Sequence, residues 1–295
     1  MTASGDRAPT AANGILYVVA TPIGNPGDVT ARAIRVLDEA DLIACEDTRR
    51  TGRLLAAHSI RTPAVSYFEH NEERRTPELI DRLKRGAKIA LVTDAGTPAI
   101  SDPGYRLVRA AHEAGVRVAA VPGPSAVVAA LSIAGLPTDR FVFEGFLPTR
   151  ANARRAALKR MAREERTIVI FEAARRLGET LDDMAVEFGA ARMAAIVREL
   201  TKTFEETVRG TLGELARTFK TREALGEVTL VVEGAQRSNE TRAESEGVGD
   251  ASVTVDVLRE AGLSLKQAST VVAKLRGLSR REVYQNAIRT RRNGD

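Results

Sequence analysis

From residue 15 onward, short apolar runs alternate with longer amphipathic stretches. The runs at 15–20, 42–45, 64–67, 88–92 and 117–121 carry four to six mostly β-branched or aliphatic residues each and are predicted strands. Between them, 29–40 and 77–85 repeat apolar positions at helical spacing. Asp28 is the expected N-cap of the first of these helices. For the second, Thr76 is the expected cap and Pro77 the first helical residue, and Asp102-Pro103 repeats that signal before another helix. Strand–helix alternation of this kind predicts βαβ units and a largely parallel sheet.

The turn Val121-Pro122-Gly123-Pro124-Ser125 interrupts the series and is followed by a small-residue helix at 126–134. A second set of strands is predicted at 141–144, 167–171, 194–197, 206–209 and 227–232. The fold class is therefore α/β, as two α/β domains with a ligand cleft between them and a small helical C-terminal unit. The expected boundaries are a disordered start at 1–14, domains at 15–122 and 123–236, a polar linker at 237–252, and a basic helical extension at 253–295. In that extension Ser264-Leu-Lys-Gln267 and Ser279-Arg-Arg-Glu282 have capping-box spacing, and Gly262 and Gly277 mark tight turns. Three short basic helices resemble a helix-turn-helix; a docking bundle has the same pattern.

Composition narrows the function classes. The 295 residues are 43% apolar, enough for a sizeable core, but only 4% aromatic with no Trp, which leaves few rings for a base-stacking platform. A single cysteine, Cys45, forms no internal disulfide, no secretory pattern opens the sequence, and a cytoplasmic protein is expected. No apolar run approaches the roughly 20 residues a membrane helix needs. The net charge of +5 is unevenly placed: residues 253–295 hold nine basic and four acidic side chains, leaving 35 of each sign in 1–252. A second block, 150–166, has seven basic and two acidic residues. Two such blocks suggest a polyanionic partner, although arginine-heavy usage also arises from genome composition, since only seven of the 44 basic residues are Lys.

In an open α/β sheet, ligands lie beyond the carboxyl ends of the strands. The first such loop, Thr21-Pro22-Ile23-Gly24-Asn25-Pro26-Gly27-Asp28, lacks the G-x-G-x-x-G spacing of a dinucleotide site, and no P-loop occurs in the chain. The second, Cys45-Glu46-Asp47-Thr48-Arg49-Arg50, offers carboxylates for a ribose or nucleophile and arginines for phosphate; helix capping by Asp47 or Thr48 explains it equally. The loop from Thr93 to Gly104 packs small residues, hydroxyls and two acids into twelve positions, a composition that lets backbone approach a ligand closely.

These loops carry a resemblance. Thr21-Pro22-Ile23-Gly24-Asn25, Glu46-Asp47-Thr48-Arg49, Glu69-His70-Asn71-Glu72, Asp94-Ala95-Gly96-Thr97-Pro98, Ser101-Asp102-Pro103-Gly104, Val121-Pro122-Gly123-Pro124-Ser125 and Arg198-Glu199-Leu200-Thr201-Lys202 resemble, in order, the motifs of the small-subunit ribosomal RNA methyltransferases in the tetrapyrrole methylase superfamily. The resemblance implies S-adenosylmethionine-dependent 2′-O-methylation of a cytidine of 16S ribosomal RNA, in the decoding region of the small subunit, by a homodimer. It implies the methyl donor in the cleft, held at Pro22, Gly96, Thr97, Ile100, Ser125, Ala126, Glu172, Val228 and Thr229, with main-chain contacts at the last three. One departure stands at Phe171-Glu172-Ala173-Ala174-Arg175-Arg176, where the family's Pro-His pair is absent and Arg176 is kept.

A 2′-hydroxyl acceptor needs a proton acceptor and tight alignment. Lys202, Glu199, Asp94, Asp47 and Asp102 are the candidates, with an inter-domain ion pair as the alternative role for Glu199 and Lys202. His58, His70 and His112 lack paired ligand spacing, and no metal is expected. Arg150, Arg154, Arg155, Lys159, Arg160 and Arg163 are predicted to form an RNA-phosphate clamp on one amphipathic helix. A small-molecule methylase of the same fold and a non-enzymatic RNA binder remain competing readings.

Overall fold

The structure, a computed structural model, describes residues 14–222, 226–236 and 254–292. The predicted disordered start, apart from Gly14, and the predicted linker lie outside them. By contacts the chain divides into two compact units, Met1–Gly234 and Ala235–Asp295.

The first unit contains two five-stranded sheets. β1 (Ile15–Val19), β2 (Leu42–Cys45), β3 (Ala64–Ser66), β4 (Lys88–Val92) and β5 (Arg117–Val121) form one in the order β3-β2-β4-β1-β5, all parallel. Helices α1 (Ala31–Glu39), α2 (Thr48–Ala57), α3 (Glu72–Lys84) and α4 (Tyr105–Glu113) connect its strands. Alternation along a strand sends successive side chains to opposite faces. In β2, Ile43 joins Ala33, Val36, Leu37 and Leu55 in one core, and Leu42 and Ala44 join Leu79, Leu83 and Leu107 in the other. Both faces are covered, so the strands read as unbroken apolar runs.

All ten predicted strands are present, but helix starts differ. Thr30, not Asp28, caps α1 by accepting from the Ala33 amide, while Pro26–Asp28 forms a 3-10 turn capped by Asn25. α3 begins at Glu72, five residues before Pro77. Thr76 does not cap it: its hydroxyl donates to the Glu72 carbonyl and bonds the Tyr67 hydroxyl. α4 begins after Gly104, so the Asp102-Pro103 pair belongs to the preceding loop.

The second sheet is mixed, unlike the first. β6 (Phe141–Phe146), β7 (Thr167–Ala173), β8 (Met193–Arg198), β9 (Glu206–Thr211) and β10 (Glu227–Val232) run in the order β6-β7-β10-β8-β9. Only β6 and β7 are parallel; β10 lies antiparallel to both β7 and β8, and β8 to β9. The connection 199–205 is too short for a crossover helix, which forces β8 and β9 antiparallel. α5 (Ala126–Ala134) covers one face through Val127, Ala130, Leu131 and Ala134. α6 (Ala151–Met161), α7 (Leu177–Phe188) and α8 (Leu212–Thr221) cover the other.

Among the described residues, the second unit holds three helices, α9 (254–260), α10 (Leu265–Arg276) and α11 (Arg280–Arg292), around Val255, Ala268, Val272, Val283 and Ala287. Ser264 and Gln267 form the expected capping box, and Gly277 ends α10 in the left-handed conformation. Among the described residues, no helix is long and apolar enough to cross a membrane.

Candidate active site

The loops after β1, β2, β4 and β5 gather at the carboxyl edge of the first sheet, facing the ends of β7 and β8 and the start of β10. The antiparallel pairing of β10 makes this possible, because Val228 sits opposite Glu172 and Arg198. Backbone bonds from Thr21 N to Gly96 O (2.8 Å) and from Gly96 N to Thr21 O (3.1 Å) lock the first loop to the one after β4. The far end of that loop is held by buried Glu72, whose Oε1 accepts from Gly104 N at 2.8 Å. The second acid of the Glu69-His70-Asn71-Glu72 run therefore points inward as a loop anchor. Among the described residues, no three ligand-type side chains converge to hold a metal.

Across the cleft, the 199–205 loop packs directly on the first loop. Thr201 Oγ1 accepts from Asn25 N at 2.9 Å. Gly24 permits the approach: a Cβ there would lie 2.7 Å from Lys202 Cγ and 2.9 Å from the Leu200 carbonyl oxygen. Four of the five non-glycine residues with left-handed φ among the described residues, Ala99, Ser101, Glu199 and Thr201, sit in these two facing loops. Backbone held in such sparsely populated regions clusters at functional sites.

Two chambers open between the loops. The first is lined by Gly96, Thr97, Ile100, Ser125, Ala126, Glu172, Val228 and Thr229, eight of the nine positions expected to hold the donor. Glu199, Lys202 and Asp102 line it too. Pro22 is displaced from this set: it lines the second chamber, of about 410 Å³, together with Asp94, Arg50, Arg53, Leu54 and Ala57. Ile23, Ala95, Lys202 and Glu227 border both chambers and form a shared wall. Asp47 borders neither. It caps α2 by accepting from Arg49 N at 2.8 Å, and the same arginine's side chain holds its carboxyl far below the usual carboxylate range.

The remaining side chains show how the site is charged. Lys202 Nζ meets Glu199 Oε1 at 3.0 Å. Burial, reinforced by the nearby Glu46 carboxylate, raises Asp94, while the Asp47 amide (3.1 Å) and Arg50 (3.3 Å) pull it back. Burial pushes Asp102 up to about 6; the Thr93 hydroxyl opposes this, and Glu46, Asp94 and Glu227 add to it. Glu172 is fully enclosed, accepting from Thr180 Oγ1 at 2.7 Å and pairing with Arg176, so only its main chain is available to the cleft. That pair also explains Arg176 in the run that lacks Pro and His.

Comparison with known proteins decides the family. Residues 15–216 match the tetrapyrrole (corrin/porphyrin) methylases. Ribosomal RNA small subunit methyltransferase I of Halalkalibacterium halodurans is 47% identical over 275 residues, covering 92% of this chain and 93% of the relative. Its Synechocystis counterpart is 46% identical over 281 residues, covering 95% and 100%. The chain belongs to the ribosomal RNA small subunit methyltransferase I family of tetrapyrrole methylases. Solved structures share the fold of this methyltransferase. Uroporphyrin-III-C-methyltransferase from Thermus thermophilus superposes with a TM-score of 0.52 at 23% identity, over 75% of this chain and 94% of that one. A cobalt precorrin-4 methyltransferase gives 0.56 at 20% identity, over 77% and 98%.

The structure corrects one member of the predicted RNA clamp of this methyltransferase. Arg154 is 2% exposed; its Nε donates to Asp183 Oδ2 at 2.7 Å and its NH2 reaches Glu179 at 3.3 Å. It bridges α6 to α7 beneath the surface. Arg155 also bonds Asp183, at 2.7 Å, but stays exposed. Arg150, Lys159, Arg160 and Arg163 are exposed. Sequence reasoning also missed Phe146, Phe171 and Ser101 in the first chamber and Arg53 in the second. Arg50, Arg53, Leu54 and Ala57 recur at i, i+3, i+4 and i+7, a signal that was available in the sequence.

Proposed function

We propose that the protein transfers a methyl group from S-adenosylmethionine to the ribose 2′-hydroxyl of a cytidine in 16S ribosomal RNA, within the small ribosomal subunit. The observation that carries this reading is the pair of chambers with a common wall, one floored by small-residue loops and the other carrying arginines. The relatives' names give the substrate class. The same reading includes a cytoplasmic homodimer, checked by the mass of the full chain in solution.

The first chamber fits the donor. Gly96 has φ +82, and a Cβ there would stand 3.4 Å from Ile23 Cγ2, so a side chain would both strain the loop and narrow the space. Main-chain groups at Gly96, Thr97, Ile100, Ala126, Glu172, Val228 and Thr229 would hold it, with Ser125 offering its hydroxyl at the start of α5. When bound, S-adenosylmethionine supplies an electrophilic methyl group on a sulfonium. Asp102, ionised above about pH 6, contributes negative charge to the same chamber.

The chain's own part in the chemistry is to place the acceptor oxygen and move its proton. Lys202, held by Glu199 on the common wall, donates to that oxygen and stabilises the charge that grows on it. Asp94, in the second chamber and made more basic by burial, takes the hydroxyl proton. The exposed cations Arg150, Arg155, Lys159, Arg160 and Arg163 contact RNA phosphates outside the cleft.

The test is transfer of labelled methyl to small ribosomal subunits, followed by mapping of the modified sugar. S-adenosylmethionine should raise the thermal midpoint of the wild-type protein, since it binds the native state alone. Lys202→Met should keep that shift and lower kcat about 100-fold. Transfer to a tetrapyrrole precursor and not to the subunit, or no thermal shift in the wild type, would overturn the reading.

A further inference from the structure

We infer that the second chamber is the acceptor pocket, and that it receives a single nucleotide extruded from the RNA with its flanking phosphate on Arg53, assisted by Arg50. This rests on the reading of the substrate as RNA. It adds where the reacting nucleotide sits and which cation holds it.

The chamber shares a wall with the donor site, so an oxygen placed at Lys202 faces both. With a volume of about 410 Å³ it has room for one nucleotide. A base still paired in a duplex cannot reach into such a recess; enzymes that act on a buried nucleotide swing it out of the stack. Among the described residues, no aromatic ring lines the chamber. Stacking, the usual sequence-tolerant grip on an unpaired base, is therefore not available here, and the hold must come from charge and from aliphatic surface.

Both are supplied by one face of α2. Arg50, Arg53, Leu54 and Ala57 follow each other at i, i+3, i+4 and i+7, so two guanidiniums and two apolar side chains look into the chamber together. The two arginines are not equivalent. Arg50 pairs with Asp94 at 3.3 Å and so helps position the proton acceptor. Arg53 is exposed and, among the described residues, has no carboxylate within ion-pairing distance. An unpaired guanidinium at the mouth of a recess beside the reacting centre is matched to a phosphate, which it binds through two parallel donors.

The test uses the full chain and intact small subunits. Arg53→Ala should raise KM for the subunit about tenfold, lower the slope of log binding constant against log salt by about one, and keep the S-adenosylmethionine thermal shift. Arg53→Lys should recover most of the salt slope, since it keeps the charge, and less of KM. Arg117→Ala removes the same charge at the opposite edge of the first sheet, where β5 begins, and should change neither. If Arg53→Ala and Arg117→Ala behave alike, or if Arg53→Ala loses the thermal shift, the assignment is overturned. Failure of the wild type to methylate the subunit would instead bring down the reading of the substrate, so the two failures are distinguishable.

Discussion

Asp102 offers a quantitative check on the electrostatics of the cleft. Its carboxyl moves from an ordinary 3.8 to about 6 on folding, chiefly through burial. Each tenfold change in proton affinity is worth about 1.36 kcal/mol, so the ionised group costs the folded state at most about 3 kcal/mol at pH 8. The group is only half-buried, and solvent screening brings the working figure to about 2 kcal/mol. The sign follows from the raised value: the native state holds the proton more tightly than the unfolded chain. Relative stability is therefore full below about pH 4 and is lost as pH rises through about 6. Asp102→Asn imitates the neutral form at every pH. It should be more stable than wild type at pH 8 by about 2 kcal/mol, or about 4–8 °C in Tm for a body of this size. The gap should shrink to roughly half near pH 5 and close towards pH 4. Denaturant titrations of both proteins at pH 4.5, 6 and 8 measure it. A gap that does not change with pH, or a variant less stable at pH 8, would refute the assignment of a strained carboxylate to this loop.

Two further outcomes follow from packing. Arg154→Ala removes one of the two guanidiniums bonded to buried Asp183, leaving Arg155 on the other oxygen, and should cost about 1.5–3 kcal/mol in urea unfolding, with no change in the salt slope of RNA binding; a loss below 1 kcal/mol would show that the side chain is solvated. Gly24→Ala places a methyl within 2.9 Å of the Leu200 carbonyl oxygen and 2.7 Å of Lys202 Cγ, so it should cost about 1–3 kcal/mol and depress kcat, read by thermal midpoint and turnover together; an unchanged kcat would separate Lys202 from the chemistry.

The ten strands were legible because parallel and central strands are continuous apolar runs bounded by Gly, Pro and polar residues, as at Leu42–Cys45. Strand direction was not. Nothing in the composition of Glu227–Val232 distinguishes a strand antiparallel to both neighbours; that follows from the short 199–205 connection and from how α8 returns the chain. Capping errors had a local cause. Asp28 and Thr76 are good caps in isolation, but Asn25 had already taken the turn at Pro26 and α3 had already begun at Glu72. The first chamber was largely readable as a recess, since small residues in loops after strands signal close backbone approach, and eight of the nine positions expected to hold a donor border it. Arg154 was misplaced because an arginine in a basic helix reads as solvated unless its partner is known, and Asp183 lies 29 residues away on α7.

The strained loops and the glycine contact belong to one device. Left-handed backbone at Ala99, Ser101, Glu199 and Thr201 costs on the order of 1–3 kcal/mol per residue in a free loop. These loops keep it because each is tied at both ends: the one after β4 by the Thr21–Gly96 bridge and by Glu72, the other by the Asn25–Thr201 bond and the Gly24 contact. Glu199 and Thr201 flank the turn that delivers Lys202 to the wall between the chambers, so relaxing either residue would swing the ammonium away from Glu199 and from the common wall. A cation placed in advance needs no reorganisation when charge develops beside it, which is the main way such a group accelerates a reaction. In the proposed reaction the strain thus lies where the position of a single nitrogen matters most, and the contacts that hold it come from the opposite α/β half.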